Sequence, residues 1–159
     1  MKKIISSVII ALFLFACALE SEFSLPNTEK NDKQLIGTWI ANDASGKLII
    51  SQNNDNRTLL IKIIDDTNKE EILSKNAFNS TINGYNILNL VHVDNASKKQ
   101  ITTFYGYRIT KNKLSYAEVN DKFTDRKFTS SKDLLSYFNE NIDKKGFFND
   151  WETPMIKSE

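Results

Sequence analysis

From residue 35 onward, short apolar runs are cut at near-regular intervals by residues that favour turns, and this punctuation limits the fold more than any other feature of the chain. Apolar and β-branched stretches occupy residues 35–41, 47–51, 58–64, 70–74, 77–82, 86–93, 100–109 and 113–120. Between them stand clusters of Asp, Asn, Ser and Gly at 42–46, 53–56, 65–68, 83–84, 94–97 and 111–112. Such residues tolerate positive φ or bond back to their own backbone. About eight strands at a spacing of roughly 8–12 residues predict a mainly β domain, an antiparallel meander that closes as a barrel or stacks as a sandwich. A parallel crossover needs about a dozen residues or more, and none of these gaps holds one.

Alternation within the strands assigns faces. In residues 100–109, Ile101, Thr103, Tyr105, Tyr107 and Ile109 share one face, while Thr102, Phe104, Gly106 and Arg108 share the other. Both faces carry apolar groups, so this strand is expected to pack on both sides. Residues 58–64 repeat the pattern, with Leu59, Ile61 and Ile63 opposite Leu60 and Ile64. Gly106 marks either a bend or bulge, or a glycine that is simply tolerated.

After residue 120 the period becomes helical. Residues 121–123 fit one turn of helix and 127–129 a last short strand. Ser130 then offers a hydroxyl cap with Asp133 in the first turn. Leu134, Leu135, Phe138 and Ile142 follow on one face, which places a C-terminal helix against the outside or one end of the barrel. The domain so defined covers 35–145, and 146–159 is a tail without a strong pattern.

The first 16 residues are of a different kind. Lys2 and Lys3 give a positive head, residues 4–15 a nearly unbroken apolar run, and Ala16 a small residue before Cys17, the layout of a secretory signal peptide. The alternative is an uncleaved spanning helix, which needs about 20 apolar residues, whereas this run meets Glu20 too soon. The ending Leu14-Phe15-Ala16-Cys17 resembles the lipobox of bacterial lipoproteins, in which cleavage leaves the cysteine as the first residue and lipid is attached to it. The resemblance implies a diacylglycerol- and palmitate-bearing Cys17 and a membrane partner reached through that lipid. Ala18, and not Asp, follows the cysteine, which by resemblance to the enteric sorting rule implies the outer membrane. Residues 17–34 are rich in Ser, Glu, Asn and Lys with no apolar period, and read as the lipidated cysteine plus a flexible tether.

Charge and chemistry narrow the function classes. Without Lys2 and Lys3, 19 basic side chains face 20 acidic ones, so the remainder carries a net of −1 and has no general attraction for nucleic acid. Cys17 is the only cysteine and His92 the only histidine. No nucleophile-elbow motif accompanies His92 and Asp94, and too few Cys and His are present for a zinc site, so neither an enzyme nor a metal or other cofactor is expected.

Gly37-Thr38-Trp39 on the first strand, followed by the meander and a helix, resembles the lipocalin and calycin-type barrels, in particular the small lipocalin-like lipoproteins of bacterial envelopes. That resemblance implies that Trp39 closes the barrel base against an arginine from a late strand, Arg108 or Arg126, and that Gly37 permits close approach. It departs from the family in lacking a midway Thr-Asp-Tyr motif; Thr124-Asp125-Arg126 comes too late. Two function classes follow. One is a carrier of a small apolar ligand, contacted by inward-facing Leu88, Phe104, Tyr105 and Tyr107. The other is an interaction scaffold or antigen for an envelope or host protein, its barrel filled by its own side chains, as barrels of about eight strands often are.

Overall fold

A computed structural model of the chain describes residues 18–66 and 70–158. The leader and Cys17 lie outside the described residues, and so do the expectations that fall on them. Nine strands are described, β1 Glu20–Ser21, β2 Gly37–Ile40, β3 Gly46–Gln52, β4 Leu59–Asp65, β5 Glu70–Ile82, β6 Tyr85–Val93, β7 Gln100–Thr110, β8 Lys113–Glu118 and β9 Met155–Lys157. A 3₁₀ turn, Asp121–Phe123, and one helix, α1 Ser131–Asn141, separate β8 from β9. Hydrogen-bonded neighbours run β1-β7-β6-β5-β4-β3-β2-β9-β8, and β8 returns to pair with β7. The result is a closed antiparallel barrel of eight strands, β2 to β9, with β1 as an extra strand outside it.

β7 explains how β1 is accommodated. One of its edges pairs with β6 along residues 100–107. The other is divided, with Tyr105 to Thr110 opposite β8 and Thr102 and Thr103 opposite β1. The loops are those the turn residues require. Asn83 and Gly84 have φ of 49° and 82° and join β5 to β6 as a two-residue hairpin of the type that matches strand twist. Ser130 caps α1, its hydroxyl accepting from the Asp133 N–H at 3.1 Å.

Three expectations are corrected. Residues 70–74 and 77–82 are not two strands but one, β5, because Lys75 and Asn76 between them pair in register with Ile61 and Leu60 of β4; the one register shift falls further along, between Ile63 and Ile64. The eighth stave therefore comes from the tail at 155–157, which pairs with β2 on one side and β8 on the other. Residues 127–129 form no strand; Thr129 instead bonds the Asp133 carboxylate ahead of the helix. Residues 18–34 are not a flexible tether. Ala18, Leu19 and Leu25 are buried, and the segment runs as a strap over β7, β6 and β5. Its polar residues hold it there by bonding to the barrel. The Glu29 carboxylate accepts from the Thr81 N–H at 2.7 Å and its hydroxyl at 3.0 Å. The Leu25 and Asp32 N–H groups donate to Asn89 Oδ1 and Asn79 Oδ1.

Two apolar clusters result. The inner one fills the barrel and includes Trp39, Leu48, Ile50, Leu59, Ile61, Leu88, Tyr105 and Met155. The outer one lies between the barrel wall and α1, and joins Ile87, Phe104 and Val119 to Leu134, Phe138 and Phe147, with Leu19 and Leu25 from the strap. Gly106 is in regular register with Ile87 and Ala117, so it makes no bulge there. A Cβ would stand 2.6 Å from the Phe148 ring that lies on it. Glycine is needed at 106 for that close approach.

Candidate functional site

The barrel interior is the natural place to look for a ligand, and side chains fill most of it. Inward rows from β3, β6, β7 and β8 leave a cavity of about 20 Å³ lined by Leu35, Leu48, Ile50, Leu88, Tyr105, Tyr107, Leu114 and Tyr116. That volume holds about one water molecule, and an apolar lining gives a water no partners. Three of the four residues expected to face a guest, Leu88, Tyr105 and Tyr107, do line it. Phe104 does not. It has the opposite strand parity, points out of the barrel and packs edge-on against Phe138 of α1, ring centroids 5.2 Å apart.

One end of the barrel is closed by Trp39. The indole is fully buried and its Nε1–H donates to the Leu35 carbonyl at 2.8 Å. Its cationic partner is not Arg108 or Arg126. Arg108 is exposed on the outer face of β7 and stacks on Trp151, 3.8 Å from the ring centroid, while Arg126 pairs with Asp133. Lys157 of β9 takes the place instead. Its ammonium lies 5.0 Å from the Trp39 ring centroid and donates to the Gln34 carbonyl at 2.9 Å. The same lysine explains Gly37. The backbone there has φ +143°, and a Cβ would come within 2.6 Å of Lys157 Cε. At this end Tyr107 also donates its hydroxyl to Asp32 Oδ2 at 3.2 Å, which ties the strap to the barrel rim. Burial, with the Asp32 charge beside it, pushes the Tyr107 hydroxyl far above the usual phenol range.

The inward rows of β5, β6 and β8 become polar beyond the apolar cavity. Lys75 and His92 extend one residue past the Asn76–Val91 pair, and Glu118 is opposite Tyr105. Lys75 is held below the ordinary lysine value by desolvation, against the opposing pull of Glu20. His92 is lowered by desolvation and by Lys75, and its Nδ1 is buried without a hydrogen-bond partner. Desolvation raises Glu118, against a bond from Asn149 Nδ2 at 3.3 Å. Asp94 bonds within its own turn, to the Ser97 N–H at 2.7 Å, and its charge pulls His92 upward against the two lowering causes. Among the described residues no three Cys, His, Asp or Glu side chains converge on a point that could hold a metal ion. No helix among them is long and apolar enough to cross a membrane.

Sequence reasoning missed Lys157 and the strap residues Glu29 and Asp32. Lys157 could have been suspected from the cation that a buried indole at a barrel base tends to recruit, but nothing in its own neighbourhood marks it. Comparison with family models, with curated proteins and with solved structures finds no match to this chain.

Proposed function

We propose that the protein is a lipid-anchored bacterial envelope lipoprotein whose barrel is a filled, non-catalytic scaffold that presents its loops and outer face to another envelope or host protein. The observation that supports a scaffold over a carrier is the size of the cavity that the described inward rows leave, about 20 Å³. Pockets that enclose small molecules measure roughly 300–1,000 Å³. The anchor is supported by the leader pattern and by the single cysteine, Cys17, which acylation would consume. Ala18 favours the outer membrane. The Gly37-x-Trp39 start, the barrel and the helix after β8 support a lipocalin-like reading. Lysine in place of arginine at Trp39, and a stave that follows the helix, are departures from it.

Native mass spectrometry of protein purified from its own host, with lipid extraction in parallel, tests the choice. The scaffold reading expects the acyl mass on Cys17, loss of residues 1–16 and no further apolar molecule. A stoichiometric apolar guest, lost on Tyr105→Trp or Tyr107→Trp, would replace it with the carrier reading. Cys17→Ser should release the protein to the soluble fraction, and a membrane-bound, fully processed Cys17→Ser protein would reject the anchor.

A further inference from the structure

The strap changes what a lipid on Cys17 would do. We infer that the protein sits flush against the bilayer, with the side of the barrel formed by Ala18, the 3₁₀ turn Asp121–Phe123 and the 144–146 turn facing the lipid headgroups. This rests on the acylation of Cys17 proposed above. The argument is one of chain geometry. A lipoprotein domain ordinarily hangs from its anchor on slack polar residues, and here the slack is missing. Ala18 is 7% exposed and forms a β-bridge with Asn120, and the Leu19 N–H donates to the Val119 carbonyl at 2.6 Å. Strand pairing with β7 begins at Glu20. One trans peptide puts the Cα of residue 17 about 3.8 Å from that of Ala18. Acyl chains on Cys17 would therefore enter the membrane about one residue from fixed structure.

The surroundings of that point are equally fixed. Asn120 donates its backbone N–H to Phe147 and its side-chain amide to Gly146 at 3.0 Å. Ala18, Asn120 and Phe147 thus lie across three adjacent extended segments, a strip about 10 Å wide at the usual strand spacing. Lys122 and Lys145, each two residues beyond the strip on its own segment, are exposed. The charges around the strip are mixed, with Asp121, Asp125 and Asp143 set against Lys122, Lys127, Lys144 and Lys145, and with Arg126 paired to Asp133. The covalent attachment, and not attraction to anionic lipid, sets the orientation.

Acetylation of lysines read by mass spectrometry tests this. The mature lipidated protein in phosphatidylethanolamine–phosphatidylglycerol vesicles is compared with Cys17→Ser protein free in solution. Lys122 and Lys145 should lose reactivity several-fold on the vesicles, while Lys62, on β4 at the far side of the barrel, keeps it. A spacer of ten Gly and Ser residues between Cys17 and Ala18, with a reach of roughly 17 Å, should restore both lysines. Protection should be the same in phosphatidylcholine vesicles and at high salt. Reactivity unchanged at 122 and 145, protection that survives the spacer, or protection that needs anionic lipid would each overturn the inference. The same measurements are made on a chain beginning at Cys17 and coupled through its thiol to a maleimide phospholipid. If the host protein carries no acyl mass the lipoprotein reading fails by itself, and the coupled protein still reports whether this face meets the membrane.

Discussion

The inner and outer cores of this protein are built from the same strands by opposite rules. Inside the barrel, packing comes from period-two rows such as Leu59, Ile61 and Ile63 of β4 and Leu88 and Leu90 of β6, each delivered by a strand whose pairing is continuous with its neighbours. The outer core begins with the other parity of β6 and β7, Ile87 and Phe104, and is finished by material from before and after the meander. Phe138 meets Phe147 edge-on with centroids 5.3 Å apart, Phe147 meets Phe123 at 5.6 Å, and Leu19 and Leu25 come from the strap. The inner core is mostly aliphatic and closed on itself. The outer one is aromatic-rich and joins parts distant in sequence. A barrel wall that is apolar on both sides thus uses its termini to cover the side that closure leaves bare.

Removing the stave that joins the two systems should have the largest effect. Deleting residues 150–158 takes away β9, the Lys157 ammonium over Trp39 and the indole of Trp151 under Arg108. It leaves the facing edges of β2 and β8 unpaired. The expected loss is comparable to the whole stability of a small domain, about 5 kcal/mol or more, so urea titration should show no folded baseline. A truncated chain that unfolds cooperatively near the full-length midpoint would mean that the barrel holds without its closing strand.

Truncating one large side chain in each core ranks them. Trp39→Ala should cost about 3–5 kcal/mol, because a fully buried indole leaves a cavity that the rigid barrel end fills poorly. Leu134→Ala should cost about 2–4 kcal/mol, since α1 can shift toward the wall and collapse part of the void. Chemical denaturation of both variants checks the order. If Leu134→Ala is neutral, the outer cluster is a cover and not a core. If it exceeds Trp39→Ala, the terminal segments carry more of the fold than the barrel interior does.

The two cores were also unequally legible in the sequence. Period-two alternation and turn residues predict six of the seven staves of the meander, all but the β5 they divide in two, to within a residue or two, since strand geometry forces both signals wherever one face is buried. The buried Trp39 and the Ser130 cap were readable for similarly local reasons. The strap was not, because its Glu29, Asn31 and Asp32 look like solvated linker until the rim groups of Thr58, Asn79, Thr81 and Tyr107 come into reach. Met155–Lys157 is too short to carry a period, and Lys157 over Trp39 is a pairing at a sequence separation that no local pattern encodes. Phe104 misled for another reason. Its strand is apolar on both faces, so hydrophobicity alone could not tell the inside from the outside.

The smallest effect belongs to the polar end of the interior, and it separates a solvated barrel mouth from a buried one. His92 is the only histidine, so any histidine titration of stability is its own. Its folded-state value is depressed, chiefly by desolvation and then by Lys75, with Glu20 and Asp94 pulling the other way. A depressed value means that the unfolded chain takes up a proton first. The stabilisation is therefore complete above the unfolded value of about 6.5 and is lost as pH falls through the folded value. The ring is partly open to solvent, so after allowance for screening the contribution is below about 1 kcal/mol. His92→Gln should remove this slope on the acid side of pH 6.5 and leave the carboxylate-driven loss at lower pH in place. Urea midpoints at pH 7.5, 6.5 and 5.5 for both proteins measure it. Parallel curves for the two would show that Lys75 and the barrel wall leave the imidazole as freely solvated as in the unfolded chain. A steeper slope in the wild-type protein would place its buried, unpartnered Nδ1 within the low-dielectric end of the inner core.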